Sequence, residues 1–151
     1  MSTIRINSIM ENPSLCDGVG YRTVIFLQGC NFHCPGCHNQ STWDVNGGKE
    51  IEIDELAQIL KKKAFNKKIT ISGGEPLLQK DKLILLFDKL KDFDICLYTG
   101  YLFDEIPEEI LKYLRFVKVG RFKKELWTST KPYVGSMNQN FIEVKNYGKT
   151  E

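Results

Sequence analysis

Short apolar runs alternate with stretches of helical periodicity along this chain. Residues 23–28 (Thr-Val-Ile-Phe-Leu-Gln) form a nearly continuous apolar run, which is typical of a strand buried on both faces. Residues 54–65 carry apolar side chains at helical spacing behind an acidic first turn, which favours a helix. The same patterns predict further strands at 68–72, 93–99, 115–119 and 141–144, and further helices at 81–91 and 107–113.

This order of strands and helices predicts an α/β fold, in which helices pack on a parallel sheet. A complete eight-stranded barrel typically needs about 250 residues. The 151 residues of this chain therefore predict a partial, TIM-like barrel of parallel strands with outer helices. We expect residues 1–151 to form a single domain, with a mostly irregular stretch at 121–140.

Four motifs follow directly after predicted strands. They are the cysteine-rich loop at 29–39, the segment at 73–76, the pair at 99–100 and the pair at 120–121. Ligands of parallel α/β sheets lie outside the carboxyl ends of the strands. The sequence therefore predicts that these four motifs form one site.

Composition narrows the class of protein. Lys and Arg number 21 and Asp and Glu 19, and the resulting formal charge of +2 argues against a dedicated nucleic-acid binder. No apolar run approaches the ~18 residues of a membrane span, and residues 1–10 lack the unbroken apolar core of a secretory signal. We therefore expect a cytoplasmic protein whose partners include neither nucleic acid nor membrane.

Three of the five cysteines lie in one short loop. Cys30, Cys34 and Cys37 have the spacing C-x3-C-x2-C, whereas Cys16 and Cys96 lie apart. Without an export signal, such a cluster favours metal or redox chemistry over disulfides. Cys thiolates hold iron–sulfur clusters, and three of them on one tight loop can bind three irons of a four-iron cube. The fourth iron then has no protein ligand, and an open position of this kind is typical of a metal centre that does chemistry.

Other chemistries fit parts of the same loop. A zinc site would need a fourth ligand, available from Cys16, His33, His38 or Cys96. Residues 34–38 (Cys-Pro-Gly-Cys-His) match the haem attachment pattern, and their two cysteines match a thioredoxin-like dithiol. Both of these interpretations leave Cys30 unexplained, so the residues favour a cluster, with zinc as the alternative. Cys96 alternates with apolar neighbours, and we expect it in the core.

The segment Ser72-Gly73-Gly74-Glu75-Pro76 ends a predicted strand. Its two glycines leave the backbone bare, so that carbonyl and N–H groups can approach a ligand closely. Glu75 is able to accept a charge-assisted hydrogen bond from a cationic ligand group. A simple turn capped by Glu75 is the alternative, and the segment alone leaves both interpretations open.

The C-x3-C-x2-C loop after the first buried strand resembles the signature of the radical S-adenosylmethionine (SAM) superfamily. More narrowly, residues 17–23 (Asp-Gly-Val-Gly-Tyr-Arg-Thr) and 38–43 (His-Asn-Gln-Ser-Thr-Trp) look like the glycyl-radical-enzyme activases. Residues 98–101, 120–122 and 135–139 are similar to the group of these activases that serves anaerobic ribonucleoside-triphosphate reductase. The resemblance covers residues 17 to about 142.

The resemblance implies one 4Fe-4S cluster, held by Cys30, Cys34 and Cys37, with SAM at the open iron. Reductive cleavage of SAM would generate a glycyl radical on the large subunit of anaerobic ribonucleoside-triphosphate reductase. An electron donor such as flavodoxin or ferredoxin would reduce the cluster. Because the cofactors carry the difficult chemistry, no catalytic residue is expected beyond the cluster and SAM.

The resemblance also implies the contacts of SAM and the alternatives to this function. SAM would contact Gly36, Cys37 and His38 at its adenine, Ser72, Gly73, Gly74 and Glu75 near its methionyl group, and a wall formed by Thr99 and Gly100. One alternative is the activation of another glycyl-radical enzyme, and a second is a different radical SAM reaction. A zinc-stabilised interaction module is the alternative from another class of protein.

Overall fold

The computed structural model describes residues 2–37 and 40–144. The strands are β1 (Thr3–Ile9), β2 (Thr23–Leu27), β3 (Lys49–Glu52), β4 (Lys68–Gly73), β5 (Asp94–Tyr98), β6 (Leu114–Val119) and β7 (Asn140–Glu143). The helices are α1 (Ile53–Lys63), α2 (Lys80–Asp88) and α3 (Glu108–Leu111). All of these strands belong to one sheet, in the order β3-β1-β2-β4-β5-β6-β7.

The sheet is mixed and mostly parallel. Its central strands β2, β4, β5 and β6 run parallel, as the alternation of strands and helices predicted. The prediction of parallel strands throughout is wrong at the edges of the sheet. There, β1 is antiparallel to β2 and β3, and β7 is antiparallel to β6. In the described chain no α-helix lies between β1 and β2 or between β6 and β7. These pairs therefore lack the crossover that parallel neighbours need.

Strand β1 is absent from the predicted elements, although its residues carry a signal. Ile4 and Ile6 are buried, whereas Thr3, Arg5 and Asn7 remain partly exposed. This alternation of apolar and polar residues is typical of a strand with one buried face. The strand could therefore have been predicted from its own seven residues.

The two faces of the sheet pack against different parts of the chain. Leu97 and Val117 lie in the main core, together with the buried faces of the helices. Alternate positions on the same strands point to the opposite face, where Cys96, Tyr98 and Phe116 form a smaller buried cluster. Cys96 is thus a core residue, as predicted, and burial raises the pKa of its thiol to about 12.

Helix α1 shows how local sequence determines these elements. Leu56, Ala57 and Leu60 form its buried stripe, with acidic residues in the first turn and lysines in the last. This charge distribution complements the helix dipole. Within the described residues no helix is long and apolar enough to cross a membrane.

The buried side chain of Arg22 fastens the connection between β1 and β2 to the sheet. Arg22 is fully buried, and its guanidinium donates to Asp94 Oδ1 at 2.6 Å. The same group donates to the backbone carbonyls of Ile69 at 2.8 Å and Asp94 at 3.0 Å, and its Nε donates to the Val19 carbonyl at 2.8 Å. Buried charges are tolerated when they are paired and hydrogen-bonded in this way.

Candidate metal and cofactor site

The cysteine-rich loop begins directly after β2, and its backbone is bonded to two other segments. Cys30 N–H donates to the Trp43 carbonyl at 3.1 Å, and the Gly29 carbonyl accepts from Glu75 N–H at 2.8 Å. Cys37 N–H donates to the Cys34 carbonyl at 3.1 Å, which closes a turn at the far end of the loop. These bonds give the loop a fixed position at the carboxyl end of β2.

The loop brings three sulfur atoms to one cavity. Cys30 is buried and Cys34 and Cys37 are partly exposed, and all three line a space of about 100 Å³ that we call the cysteine cavity. We refer to these residues as the three loop cysteines. Among residues 2–37 and 40–144, no three Cys, His, Asp or Glu side chains are grouped so as to hold a single metal ion.

The electrostatics of the loop favour a cationic occupant. Burial raises the pKa of the Cys34 thiol, and the charges of Cys37 and Cys30 raise it further. The backbone N–H of Phe122 and the guanidinium of Arg121 oppose this rise. Mutual repulsion means that thiolates at these positions need a compensating positive charge, and bound metal supplies such a charge because it deprotonates its thiol ligands.

The predicted Gly-Gly segment lies against the start of the cysteine-rich loop. A Cβ on Gly73 would lie 2.3 Å from the Leu27 carbonyl oxygen, and one on Gly74 would lie 2.3 Å from the Gly29 carbonyl oxygen. Gly73 also has a φ of 122°, which L side chains rarely adopt. Ser72, Gly73 and Gly74 all line the cysteine cavity. Glycine is therefore needed here for close backbone packing beside the cavity.

Glu75 connects the end of β4 with the end of β5. Its buried carboxylate accepts from Leu77 N–H at 3.0 Å, Thr99 Oγ1–H at 2.7 Å and Gly100 N–H at 2.7 Å. Burial raises the pKa of this carboxyl, and the three donors oppose the rise. Glu75 is not among the residues that line the cavity, so the geometry favours the capping interpretation. Thr99 and Gly100, which Glu75 holds, do line the cavity.

Phe32 fixes the outer part of the loop to the ends of β5 and β6. Its ring packs edge-on against Tyr101, with 4.9 Å between the ring centroids. The Arg121 guanidinium lies 4.2 Å from the centroid of the Phe32 ring. A Cβ on Gly100 would lie 2.5 Å from the same ring, so Gly100 provides the space for this contact. The loop therefore packs on strands far from it in the sequence.

The remaining predicted residues lie in different places. Gly36 has a φ of 77° and packs near Phe122 and Lys124, at the edge of the loop. Gly36 is not among the residues that line the cysteine cavity. The predicted contact of His38 lies outside the described residues. Of the predicted positions, the cavity brings together the three loop cysteines, Ser72, Gly73, Gly74, Thr99, Gly100, Gly120 and Arg121.

Several other side chains line the cavity that the sequence analysis did not assign to the site, among them Trp43, Tyr98 and Lys118. Trp43 lines the cavity and stacks on His33 with 4.7 Å between ring centroids. Tyr98 and Lys118 enter from β5 and β6. Among the described residues, Trp43 Nε1 and the Tyr98 hydroxyl are buried without a hydrogen-bond partner. The alternation of residues along β5 and β6 could have indicated the positions of Tyr98 and Lys118. It places Tyr98 on the same face as Cys96, and Lys118 on the same face as Phe116.

Comparison with known proteins identifies relatives of the chain. The family described as "4Fe-4S single cluster domain" matches residues 16–142. The pyruvate formate-lyase-activating enzyme of Clostridium pasteurianum is 42% identical over 121 residues, which are 75% of this chain and 50% of that enzyme. The anaerobic ribonucleoside-triphosphate reductase-activating protein of Enterobacteria phage T4 is 36% identical over 137 residues, 82% of this chain and 86% of that protein. The Salmonella typhi protein of the same name is 30% identical, with 83% and 90% coverage.

A solved structure supports the fold. QueE from Escherichia coli aligns with a TM-score of 0.54 over 65% of this chain and 52% of its own chain. At 20% sequence identity, this likeness concerns the fold alone. It agrees with the mixed, mostly parallel α/β sheet described above.

A cavity lined by three cysteines at the carboxyl ends of parallel strands, together with these matches, defines an iron–sulfur enzyme. The chain belongs to the family of 4Fe-4S single cluster domains, within the radical SAM activating enzymes. Its family uses a 4Fe-4S cluster and SAM. The chain spans 86% and 90% of the reductase-activating proteins of phage T4 and Salmonella typhi, but only about half the length of the pyruvate formate-lyase-activating enzyme of Clostridium pasteurianum.

Proposed function

We propose that this protein activates anaerobic ribonucleoside-triphosphate reductase by forming a glycyl radical on its large subunit. The observation that carries the proposal is the convergence of the three loop cysteines and the Gly-Gly strand end on one cavity. Relatives that act on this reductase match the chain over most of their own length, which favours this target.

We infer that the three loop cysteines hold the 4Fe-4S cluster. The donor set fits, because iron–sulfur clusters take thiolate ligands. A cube offers a separate iron to each sulfur, so its ligands need not converge on one ion. When bound, the cluster and SAM supply one-electron reduction and hydrogen-atom abstraction.

The protein's own residues bind and shield these groups. The backbone of Gly73 and Gly74 is open toward the cavity, and Ser72 and Thr99 form its wall. We place the methionyl group of SAM along this wall and its adenine near Gly36, Cys37 and His38. Glu75 then acts from behind the wall, since its carboxylate positions Thr99 and Gly100. A wall of this kind helps to keep water away from a reactive radical site.

The proposal also includes the domain organisation, the location and the other partners of the protein. The open sheet, with its site at the strand ends, supports a partial barrel that works as one domain over residues 1–151. A cytoplasmic location, a flavodoxin or ferredoxin as electron donor, and the lack of nucleic-acid or membrane partners remain predictions.

Anaerobic reconstitution with iron, sulfide, SAM and a reductant tests the activity. We expect about four irons per chain, visible absorption and formation of 5′-deoxyadenosine. Mixing with anaerobic ribonucleoside-triphosphate reductase should then produce a glycyl radical detectable by electron paramagnetic resonance. One zinc per chain and no colour would instead support the interaction module.

A second target is favoured by one observation, the 42% identity to a pyruvate formate-lyase-activating enzyme. The same reconstituted protein should therefore also be mixed with pyruvate formate-lyase. A glycyl radical on pyruvate formate-lyase, and none on the reductase, would indicate that pyruvate formate-lyase is the target instead.

A further inference from the structure

Trp43 carries a buried hydrogen-bond donor without a partner in the described chain. Its indole Nε1 is buried, and no described residue accepts a hydrogen bond from it. Buried polar groups are normally hydrogen-bonded, so an exception requires an explanation. Trp43 also lines the cysteine cavity, the space beside the three thiols that we infer to hold the cluster. An acceptor supplied by a bound group would satisfy this donor.

The cysteine-rich loop holds Trp43 at two points. The Trp43 carbonyl accepts from Cys30 N–H at 3.1 Å, which fixes its backbone next to the first loop cysteine. The Trp43 ring stacks on His33, with 4.7 Å between the ring centroids and 13° between the ring planes. His33 has a φ of 50°, which few residues other than glycine adopt. The loop that carries the cysteines therefore also sets the position of the indole.

The other unpartnered donor of the cavity lies in a different place. The Tyr98 hydroxyl is buried without a hydrogen-bond partner among the described residues, as Trp43 Nε1 is. Tyr98 also lines a wider space of about 600 Å³, which we call the outer cavity. Trp43 is not among the residues that line the outer cavity. The position of Trp43, beside the cysteines and away from the outer cavity, favours a sulfur as its acceptor.

Sulfur atoms of this loop already accept hydrogen bonds from backbone N–H groups. Cys30 Sγ accepts from Phe32 N–H at 3.4 Å, and the Cys34 thiol is bonded to the backbone N–H of Phe122. Hydrogen bonds to the sulfurs are one of the factors that set the reduction potential of iron–sulfur clusters. The indole of Trp43 would add a side-chain donor to these two backbone donors.

We propose that the Trp43 indole N–H donates a hydrogen bond to a sulfur of the bound 4Fe-4S cluster and thereby raises its reduction potential. This inference rests on the proposed function. The reduced cluster carries one more negative charge than the oxidised cluster, so its sulfurs accept the hydrogen bond more strongly. Trp43 therefore stabilises the reduced state relative to the oxidised state, and so favours transfer of the one electron that the electron donor supplies.

A redox titration of the anaerobically reconstituted protein, followed by electron paramagnetic resonance of the reduced cluster, tests the proposal. SAM is left out, so that the potential reports on the cluster and the protein alone. Trp43→Phe keeps an aromatic ring that can stack on His33 but removes the N–H. We expect the equilibrium constant for one-electron reduction to fall about tenfold, because a charged acceptor roughly doubles the strength of a hydrogen bond. For a one-electron couple, tenfold is a midpoint potential about 59 mV more negative.

Trp127→Phe is the matched control. Trp127 is the other tryptophan of the chain, is exposed, and is not among the residues that line either cavity. The same substitution there should leave the potential unchanged.

A second variant separates the N–H from the size of the ring. Phenylalanine is smaller than tryptophan, so Trp43→Phe can also admit water to the cavity. Water stabilises the more negative reduced cluster and would raise the potential, which is the opposite sign. Incorporation of β-(3-benzothienyl)alanine in place of tryptophan in the Trp127→Phe protein keeps the shape of the Trp43 ring and replaces its N–H by sulfur. This protein should show the same decrease in potential as Trp43→Phe, and it decides the question if Trp43→Phe assembles no cluster.

Several outcomes would overturn the role of Trp43 while the proposed function stands. They are a potential that is unchanged or raised in Trp43→Phe, an equal decrease in Trp127→Phe, or an unchanged potential in the benzothienylalanine protein. Weaker SAM binding in equilibrium dialysis without a change in potential would assign the N–H to SAM and would also overturn it. Wild-type protein that assembles no cluster would overturn the proposed function, and this inference with it.

Discussion

Replacing Gly74 by Ala tests whether the end of β4 fixes the cysteine-rich loop. The added Cβ would lie 2.3 Å from the Gly29 carbonyl oxygen, 1.1 Å closer than the 3.4 Å at which ordinary contact begins. The nearest atoms all belong to the backbone of Gly29 and Thr42. The steric clash is therefore relieved only if Gly29 moves, together with the adjacent Cys30. The same movement stretches the hydrogen bond from Glu75 N–H to the Gly29 carbonyl.

The expected loss of stability follows from three contributions. Overpacking costs about 1–3 kcal/mol, and the weakened hydrogen bond costs about 0.5–1.5 kcal/mol. The reduced entropy of the unfolded chain offsets about 0.4–1 kcal/mol. We expect a net decrease of about 2 kcal/mol in the free energy of unfolding, which for a chain of this size lowers Tm by about 4–8 °C.

Thermal unfolding of the apo-protein and iron content after anaerobic reconstitution provide the assay. Gly135→Ala is the control, because its Cβ meets the Phe122 ring at 3.0 Å, and this side chain can move. Both substitutions share the entropic contribution, so their difference isolates the backbone clash. Gly74→Ala should have the lower Tm and retain less iron. Equal values for the two variants would refute the argument that Gly74 positions the loop.

Three further predictions concern the ligands, the buried ion pair and Glu75. Alanine at any one of the three loop cysteines should abolish visible absorption and SAM cleavage, whereas Cys96→Ala should retain both; equal loss at Cys96 would contradict the ligand set. Asp94→Asn should lower the free energy of unfolding in urea by about 1.5–3 kcal/mol, because Arg22 loses its charged partner, while Asp92→Asn at an exposed pair should have little effect. Burial raises the pKa of the Glu75 carboxyl in the folded protein. Glu75 therefore stabilises the fold most when it is protonated, and this stabilisation is lost as pH rises through the pKa of the folded state. The stability of wild type relative to Glu75→Gln, measured by urea unfolding, should therefore fall as pH rises, and a difference independent of pH would contradict this.

The central strands and the candidate site could largely be predicted from sequence. The apolar run at 23–28 and the C-x3-C-x2-C spacing are local features, and each lies within a few residues. The rule that ligands lie beyond the carboxyl ends of parallel strands then joined the loop to Ser72, Gly73, Gly74 and Thr99. The structure places Ser72, Gly73, Gly74 and Thr99 on one cavity with the three loop cysteines.

The contacts of Glu75 could not be predicted in the same way. The sequence left open whether its carboxylate meets a ligand or caps a turn. Two of its three donors, Thr99 and Gly100, are more than twenty residues away in sequence. Their approach depends on the pairing of β4 with β5, which no local pattern reports.

By itself, the sequence determined that the loop carries thiol ligands and that glycines leave the backbone free at the strand ends. Both are properties of single residues and short spacings. Only the tertiary structure decided the antiparallel edges of the sheet and the meeting of Tyr98 with Lys118 beside the cysteines. Those contacts join segments distant in the chain. Which side chains become neighbours there is set by strand order and register, and these depend on the packing of the whole sheet.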